Sequence, residues 1–235
     1  MDIRYNILYF PNRIDIRICP KNATVSLKAA YNLCYRMPNE IFNSDGNIKP
    51  NYSSVMENYR KHCVDRHSCW WDFPFRKNTT RIAVVRDPVK RFMSACNYYI
   101  RQQTRYVNKD YNQEWYDRNH SRGTPIYPET ISKTVRGIIE QLQKRDIFDS
   151  HFYSQSHFLG HPDDYDMVFE INNMDKLFLY LNENCKPKNP IPYLRKNTSD
   201  SYKSFSSTLE PQDIELIKEF YSKDYKIGWY TETSI

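Results

Sequence analysis

The sequence has no long apolar run. No segment approaches the roughly 20 consecutive apolar residues that a membrane-spanning helix needs, and the N-terminal stretch already carries charges at Asp2 and Arg4. The six cysteines lack the density and the short, regular spacing of a disulfide scaffold, so we expect most of them to be buried thiols. Internal repeats and low-complexity tracts are also missing. We therefore expect a soluble, cytoplasmic protein without a membrane span.

The composition is that of one folded domain with a slight basic excess. A chain of 235 residues is long enough for one domain with a substantial core, and its 40% apolar and 26% charged residues argue against disorder. Lysine and arginine number 34 against 28 acidic residues, which gives a formal net charge of +6. This charge favours anionic partners such as nucleotides, nucleic acid or acidic glycans without choosing among them.

Short apolar runs that alternate with helical patterns predict an α/β fold. Residues 14–19 are rich in β-branched side chains and predict a strand, and the apolar spacing from Ser26 predicts a helix after a tight turn. Residues 81–85 predict a second, buried parallel strand. Pro88 suits the first turn of a helix that Asp87 caps and that runs to about residue 100. Further patterns predict helices at 130–144, 174–181 and 210–221, a strand at 167–170, and a long polar surface segment at 101–128.

The segment between the first strand and the first helix has the features of an anion-binding loop. Free backbone N–H groups and the positive end of the helix dipole attract anions at such a position. Lys21 adds a point charge, and Thr24 and Ser26 add hydroxyl groups. A kinase or GTPase requires G-x-x-x-x-G-K-[ST], whereas this loop contains no glycine, so ATP-dependent phosphoryl transfer is disfavoured. The alternative is an ordinary strand-to-helix turn with a surface lysine.

A second anion site is predicted at the end of the second strand. Arg86 offers a rigid fork of donors to a phosphate, and Ser94 lies about two turns along the following helix, so both side chains can converge on one anion. The alternative is that Arg86 and Asp87 form only a helix cap with a salt bridge. Arg91 is interpreted as a structural or surface charge.

His67 is a candidate general base. Histidine has an unperturbed pKa of about 6.5, so at physiological pH it can accept a proton. The neighbouring His62, Cys63 and Cys69 could instead form a zinc site with His67, but the C-x-x-C pair typical of such sites is missing and we expect no metal. A hydrogen-bonded histidine near the core is a further alternative.

Together these motifs resemble those of the PAPS-dependent carbohydrate sulfotransferases, which use 3′-phosphoadenosine 5′-phosphosulfate (PAPS) as donor. Residues 20–26 resemble the P-K-T-A-S-T-S loop of the heparan-sulfate and dermatan uronyl 2-O-sulfotransferases, with Val25 in place of a threonine. Residues 86–94 resemble R-D-P-V-x-R-x-x-S, whose arginine and serine bind the 3′-phosphate. Residues 65–73 are similar to G-H-V-S-Y-L-D-F, whose histidine is the base, although Asp65 stands where that family has a second histidine.

The second half of the chain resembles the Golgi-type carbohydrate sulfotransferases. Residues 149–155 are similar to their D-x-H-W-x-P-Q motif, with Phe152 and Ser154 at the tryptophan and proline positions. This resemblance implies that His151 and Gln155 line the acceptor side of the site.

The C-terminal part continues the same resemblance. Residues 195–199 and 221–225 are similar to the h-x-N-x-S and Y-x-x-D-[YF] patterns of that family. Arg195 and Lys196 would then close over the nucleotide, or else they belong to a solvated basic loop.

The resemblance implies a P-loop-like three-layer fold, with a central parallel sheet flanked by helices, in a single sulfotransferase domain over residues 1–235. His67 would be the catalytic base with His151 as second candidate, and Lys21 would stabilise the transferred group. The donor-binding residues would be Lys21, Asn22, Ala23, Thr24, Val25, Ser26, Arg86, Ser94, Arg195 and Lys196.

The sequence therefore predicts transfer of a sulfuryl group from PAPS to an acceptor hydroxyl, on a carbohydrate, with adenosine 3′,5′-bisphosphate (PAP) as product. We expect no nucleic acid partner. Two alternatives are a polyanion- or glycan-binding module that has lost activity and, less favoured, a P-loop nucleotide kinase.

Overall fold

The computed structural model describes residues 7–24, 26–27, 30–31, 75, 77–107, 132, 134–144, 150–187, 190–191 and 209–230. These residues form a sheet with helices on both of its faces. Some residues that the sequence predicts as site residues lie outside the described ranges, namely Val25, His67, Arg195 and Lys196.

The described sheet has four strands in the order β1-β2-β3-β4. The strands are β1 (Ile7–Phe10), β2 (Ile14–Arg17), β3 (Thr80–Val85) and β4 (Met167–Glu170). β3 pairs parallel with both β2 and β4, as the predicted fold requires. β1, which the sequence pattern does not predict, pairs antiparallel with β2 and makes the sheet a mixed one.

A short hairpin explains the additional strand. Phe10 of β1 pairs with Ile14 of β2, and residues 11–13 connect them. Of these, Asn12 and Arg13 have φ of 55° and 61°. Such left-handed backbone matches the twist of the two strands in a tight hairpin. Leu8 and Phe10 are buried in the core, so a strand of only four residues is held by its apolar side chains as well as by its ladder.

A helix follows each of the parallel strands. The helix after β2 begins at Thr24, and α1 follows β3. The helices from there on are α1 (Pro88–Val107), α2 (Val135–Gln143), α3 (Gln155–Leu159), α4 (Met174–Cys185), α5 (Pro211–Phe220) and α6 (Ser222–Lys226). Short 3₁₀ segments lie at Ser150–Phe152, Pro162–Asp164 and Ile171–Asn173.

The start of α1 confirms the predicted cap. Asp87 Oδ1 accepts the backbone N–H of Lys90 at 2.7 Å, and Pro88 is the first helical residue. The end of α1 differs from the prediction, because the helix continues to Val107 into the segment interpreted as a polar surface excursion. Residues 101–107 contain no glycine or proline that would stop a helix.

The strand β3 lies at the centre of three layers. Its side chains Ile82 and Val84 pack in one cluster with β1, β2 and α4, whereas Ala83 and Val85 face a second cluster that includes α3 and Trp229. A third cluster joins α1, α2 and α5 beside the sheet. Burial on both faces of β3 matches its continuous apolar run, which is typical of a strand in a parallel sheet.

The described cysteines agree with the sequence analysis. Cys19, Cys96 and Cys185 are buried and carry free thiols. In the part of the chain that the structure describes, no helix combines the length and the apolar character that crossing a membrane requires.

Candidate active site

Within loop 20–26, residues 20–23 form a tight turn that leads from β2 to the helix that begins at Thr24. The backbone N–H of Asn22 donates to the carbonyl oxygen of Cys19 at 3.1 Å, and the Thr24 hydroxyl donates to the same oxygen at 2.8 Å. Lys21 and Ala23 have φ of 68° and 55°, in the left-handed region that glycine favours. The turn is therefore built without glycine, and its closure uses the hydroxyl proton of Thr24 within the loop.

Two of the predicted donor-binding side chains face the core. Asn22 is fully buried, and its Nδ2 donates to the carbonyl oxygen of Val84 at 2.9 Å and to Oε1 of Gln155 at 2.5 Å. Ser26 is also buried. Asn22 thus ties the loop to β3 with its side-chain amide. The described loop residues that are only half-buried are Pro20, Lys21, Ala23 and Thr24.

Arg86 lies against this loop, at the end of β3. Its Nη1 donates to the carbonyl oxygen of Lys21 at 3.2 Å. Burial, and after it the nearby charge of Arg91, lower the pKa of Arg86 from its usual value, yet a guanidinium stays charged at neutral pH. Because β2 and β3 are parallel neighbours, the segments that follow them meet at one edge of the sheet. The structure thus brings the two predicted phosphate motifs together.

Ser94 lies on the face of α1 that the loop covers. The helix positions of Arg91, Ser94 and Tyr98 are separated by three and four residues, so they share one face. Nε of Arg91 donates to the carbonyl oxygen of Pro20 at 3.2 Å, and the ammonium nitrogen of Lys21 lies 4.8 Å from the centre of the Tyr98 ring. Ser94 is half-buried, and its position on the helix lies between those of Arg91 and Tyr98. Its convergence with Arg86 on one anion stays a prediction.

Tyr98 also connects the loop to His151. The centres of the Tyr98 and His151 rings are 4.4 Å apart, with 36° between the ring planes. Lys21 and His151, predicted from separate motifs, therefore meet on one tyrosine. A cation over the face of a tyrosine ring gains about 0.5–2 kcal/mol, which helps to hold the Lys21 ammonium at this position.

The resemblance to D-x-H-W-x-P-Q implies that Gln155 lines the acceptor side, but the structure places it elsewhere. It is fully buried. Its Nε2 donates to the carbonyl oxygen of Arg86 at 2.8 Å, and its Oε1 accepts the backbone N–H of Arg86 at 2.9 Å. The prediction for Gln155 is wrong because the side chain points from α3 under the strand end of β3, where polar main-chain groups need partners.

The C-terminal segment holds the region around α3. The Tyr221 hydroxyl donates to the carbonyl oxygen of Phe152 at 2.8 Å, and Nε1 of Trp229 donates to the carbonyl oxygen of Gly160 at 2.9 Å. Between them, Asp224 accepts the first two backbone N–H groups of α3 at 2.8 Å and 2.7 Å. A carboxylate at a helix N-terminus satisfies donors that have no partner within the helix. This explains the Y-x-x-D pattern in structural terms.

Arg91 is a structural charge, as interpreted from the sequence, and it is buried rather than at the surface. Its guanidinium lies beneath the loop, over the ring of Tyr221 at 5.6 Å from the ring centre. Burial raises the pKa of the neighbouring Cys19 thiol to about 11, against an opposing effect of Arg91, so this thiol is neutral at physiological pH. With this thiol neutral, the neighbouring negative charge that acts on Arg91 is the buried carboxylate of Asp224.

Sequence reasoning missed Tyr98, and it included Asp224 only as part of the Y-x-x-D pattern, without a role. Tyr98 could have been identified from helical spacing, because it lies four residues after Ser94 and therefore shares its face of the helix. The buried role of Asp224 had no local signal, since its partners on α3 are 69 and 68 residues away in the chain.

The described residues contain no group of three or more His, Cys, Asp or Glu side chains that could hold a metal ion. The alternative zinc ligands of the sequence analysis, residues 62–69, lie outside the described ranges.

Comparison with known proteins assigns the chain to a family. The model of the sulfotransferase family matches residues 19–230, a span that begins at the last residue before loop 20–26 and ends after Trp229. A search of curated proteins found no match, and a search of solved structures found none either. Since the match covers most of the chain and includes the loop, Arg86, Ser94, Gln155 and Asp224, this protein belongs to the sulfotransferase family and is an enzyme of sulfuryl transfer.

Proposed function

We propose that the protein transfers a sulfuryl group from PAPS to a hydroxyl group of a carbohydrate acceptor, as a single catalytic domain. The observation that carries the proposal is the contact between loop 20–26 and Arg86, where the guanidinium donates to the main chain of Lys21 at 3.2 Å. Two cationic motifs in contact at the carboxyl edge of parallel strands suit a ligand with two anionic ends. PAPS has such ends in its 5′-phosphosulfate and its 3′-phosphate.

The chemistry of the side chains fits this donor. Lys21 and the backbone N–H groups of loop 20–26 would bind the 5′-phosphosulfate, and Arg86 with Ser94 would bind the 3′-phosphate. Asn22 and Ser26 would contribute through the shape of the loop, because both are buried. Arg195 and Lys196 are proposed to cover the bound nucleotide.

The reaction is proposed as an in-line displacement at sulfur. The acceptor oxygen attacks the sulfur atom, the bond from sulfur to the 5′-phosphate oxygen breaks, and PAP leaves. Lys21 would stabilise the charge that develops on the leaving phosphate and on the sulfuryl oxygens, in a reaction that depends mainly on positioning and electrostatics. No step of this scheme requires a metal.

A histidine is proposed to take the acceptor proton. His67 is the first candidate, from its resemblance to the family base. His151 is the second, and its support is its place beside Tyr98 and Lys21. Single substitutions of His67 and of His151 distinguish the two candidates for the base.

The proposal is tested by transfer of labelled sulfate from PAPS to a panel of glycans, alcohols and tyrosine peptides. We expect transfer to glycans, and we expect His67→Ala to lower the rate about 10²- to 10⁴-fold with PAP binding retained. His151→Ala is the matched comparison and should retain more activity. Full turnover by the His67 variant with a large loss in the His151 variant would assign the base to His151. Binding of polyanions with a steep salt dependence, without a saturable PAP site and without transfer to any acceptor, would favour the inactive binding module.

A further inference from the structure

One buried amide joins the two cationic motifs of the site. Oε1 of Gln155 accepts both the Asn22 Nδ2 group, at 2.5 Å, and the backbone N–H of Arg86, at 2.9 Å. Nε2 of Gln155 donates to the carbonyl oxygen of Arg86 at 2.8 Å. The side chain thus binds both the backbone N–H and the backbone carbonyl of Arg86, and it binds the loop through Asn22. Its planar carboxamide uses acceptor and donor at once, which an apolar side chain of the same size cannot do.

The main chain of Gln155 is anchored separately, by the carboxylate of Asp224. The backbone N–H of Gln155 donates to Oδ2 of Asp224 at 2.8 Å, and the N–H of Ser156 donates to Oδ1 at 2.7 Å. Asp224 is fully buried, as is Gln155. Neither of these anchoring contacts involves the loop or β3. Gln155 is therefore held from the C-terminal side and sets the relative position of two segments that are more than sixty residues apart in sequence.

Removal of the Gln155 amide would cost considerable free energy. In a buried environment a polar group that loses its partner costs about 1–3 kcal/mol. Loss of the Gln155 amide would remove a partner from the Arg86 N–H, the Arg86 carbonyl and the Asn22 amide. Asn22 would retain its bond to Val84, so the loop would stay attached to β3. The element with fewer remaining restraints is the strand end that carries the Arg86 guanidinium.

We propose that Gln155 is a positioning residue that fixes the distance between loop 20–26 and Arg86, so that one nucleotide can engage both. The inference rests on the proposed function, since PAP is the ligand whose 5′ and 3′ phosphates would occupy the two motifs. A ligand that binds two preorganised sites gains affinity from the second site only while the spacing is correct. Gln155 touches neither reacting atom, and its effect is exerted through Asn22 and Arg86.

The experiment compares PAP with 5′-AMP, which lacks the 3′-phosphate, by calorimetric titration of the full chain. The variant is Gln155→Met, and Gln212→Met, at an exposed position of α5, is the matched control. In Gln155→Met we expect the ratio of PAP affinity to 5′-AMP affinity to fall at least about tenfold, with 5′-AMP affinity changed about threefold or less. The control should keep the wild-type ratio.

An unchanged ratio in a folded Gln155 variant overturns the inference, and so does an equal loss for both nucleotides, which would indicate support of the loop alone. If Gln155→Met does not fold, Gln155→Glu is used in its place, because it retains acceptor oxygens but lacks the donor to the Arg86 carbonyl. The ratio of PAP affinity to 5′-AMP affinity is then measured in that variant, with the same expected and contradicting results. A wild-type protein that binds neither nucleotide contradicts the proposed function instead, so the two failures are distinguishable.

Discussion

Asp224 is a fully buried carboxylate whose two oxygens each accept a backbone N–H of α3. Hydrogen bonds to a charged group contribute about 1.5–3 kcal/mol each, and buried donors without partners are costly. At the scale of single residues, this carboxylate is therefore the clearest contributor to stability near the site, although it has no proposed contact with substrate.

We predict that Asp224→Ala lowers the free energy of unfolding by about 3 kcal/mol or more, because it leaves both N–H groups of α3 without an acceptor. Urea denaturation of the two proteins measures this. Asp175→Ala is the control, since Asp175 is exposed in the first turn of α4, and it should cost less than about 1 kcal/mol. Equal effects of the two substitutions would contradict the role assigned to Asp224.

At the scale of elements, α1 organises the site along one face. Arg91 contacts the main chain of the loop, Tyr98 contacts Lys21 and His151, and Ser94 lies between them. A helix keeps such positions fixed relative to each other, so α1 holds the start of the loop at two adjacent residues, Pro20 and Lys21. The aromatic ring of Tyr98 contacts both Lys21 and His151.

We predict that Tyr98→Leu lowers the rate of sulfuryl transfer up to about tenfold, because the Lys21 ammonium loses a cation–π contact of about 0.5–1 kcal/mol or somewhat more. Tyr98→Phe retains the ring and should stay within about twofold of the wild type. Rates of transfer from labelled PAPS at saturating acceptor measure both. Equal losses in the Leu and Phe variants would show that the hydroxyl, not the ring, matters.

The elements show how much of the fold the sequence predicts. β4 and the cap of α1 follow from local signals, an apolar run in one case and Asp87 before Pro88 in the other, and the structure confirms both. β1 was missed although Pro11 and Asn12 are a turn signal between two apolar runs. Its four residues are too few for a period-2 pattern to stand out, and pairing with β2 decides its structure.

The site was predictable to the extent that its contacts are local. Lys21 and Arg86 each follow a strand, and the parallel pairing of β2 and β3 brings these two residues together. Gln155 depends instead on Asn22, Arg86 and Asp224, which are distant in sequence. A polar side chain in a motif does not reveal whether it faces a ligand or the core, and its burial is decided by tertiary packing.

At the scale of the whole molecule, several titratable groups are buried in neutral form. Burial raises the pKa of Cys19 to about 11 from 9.0, and it raises the pKa of Cys96 and of Tyr221 above their usual values. Above pH 9 the unfolded chain releases protons from such thiols while the folded chain keeps them. Folding is then favoured less as the pH rises.

We predict that the free energy of unfolding falls between pH 8 and about pH 11, by at most about 1.4 kcal/mol per pH unit for each such group. Urea denaturation at a series of pH values measures the slope. Cys19→Ala removes one of these groups, so its curve should be flatter above pH 9 than that of the wild type. A free energy that does not change over this range would contradict the neutral, buried state of these groups.

Loop 20–26 and Arg86 are proposed to form one site for a nucleotide with phosphates at both ends. The most direct measurement is calorimetric titration of the purified protein with PAP, with ATP and 5′-AMP as controls and with Arg86→Ala as the variant. We expect saturable PAP binding that is stronger than the binding of either control, and a marked loss of PAP affinity in Arg86→Ala. A folded wild-type protein that does not bind PAP, or that binds it no better than ATP and 5′-AMP, would contradict it.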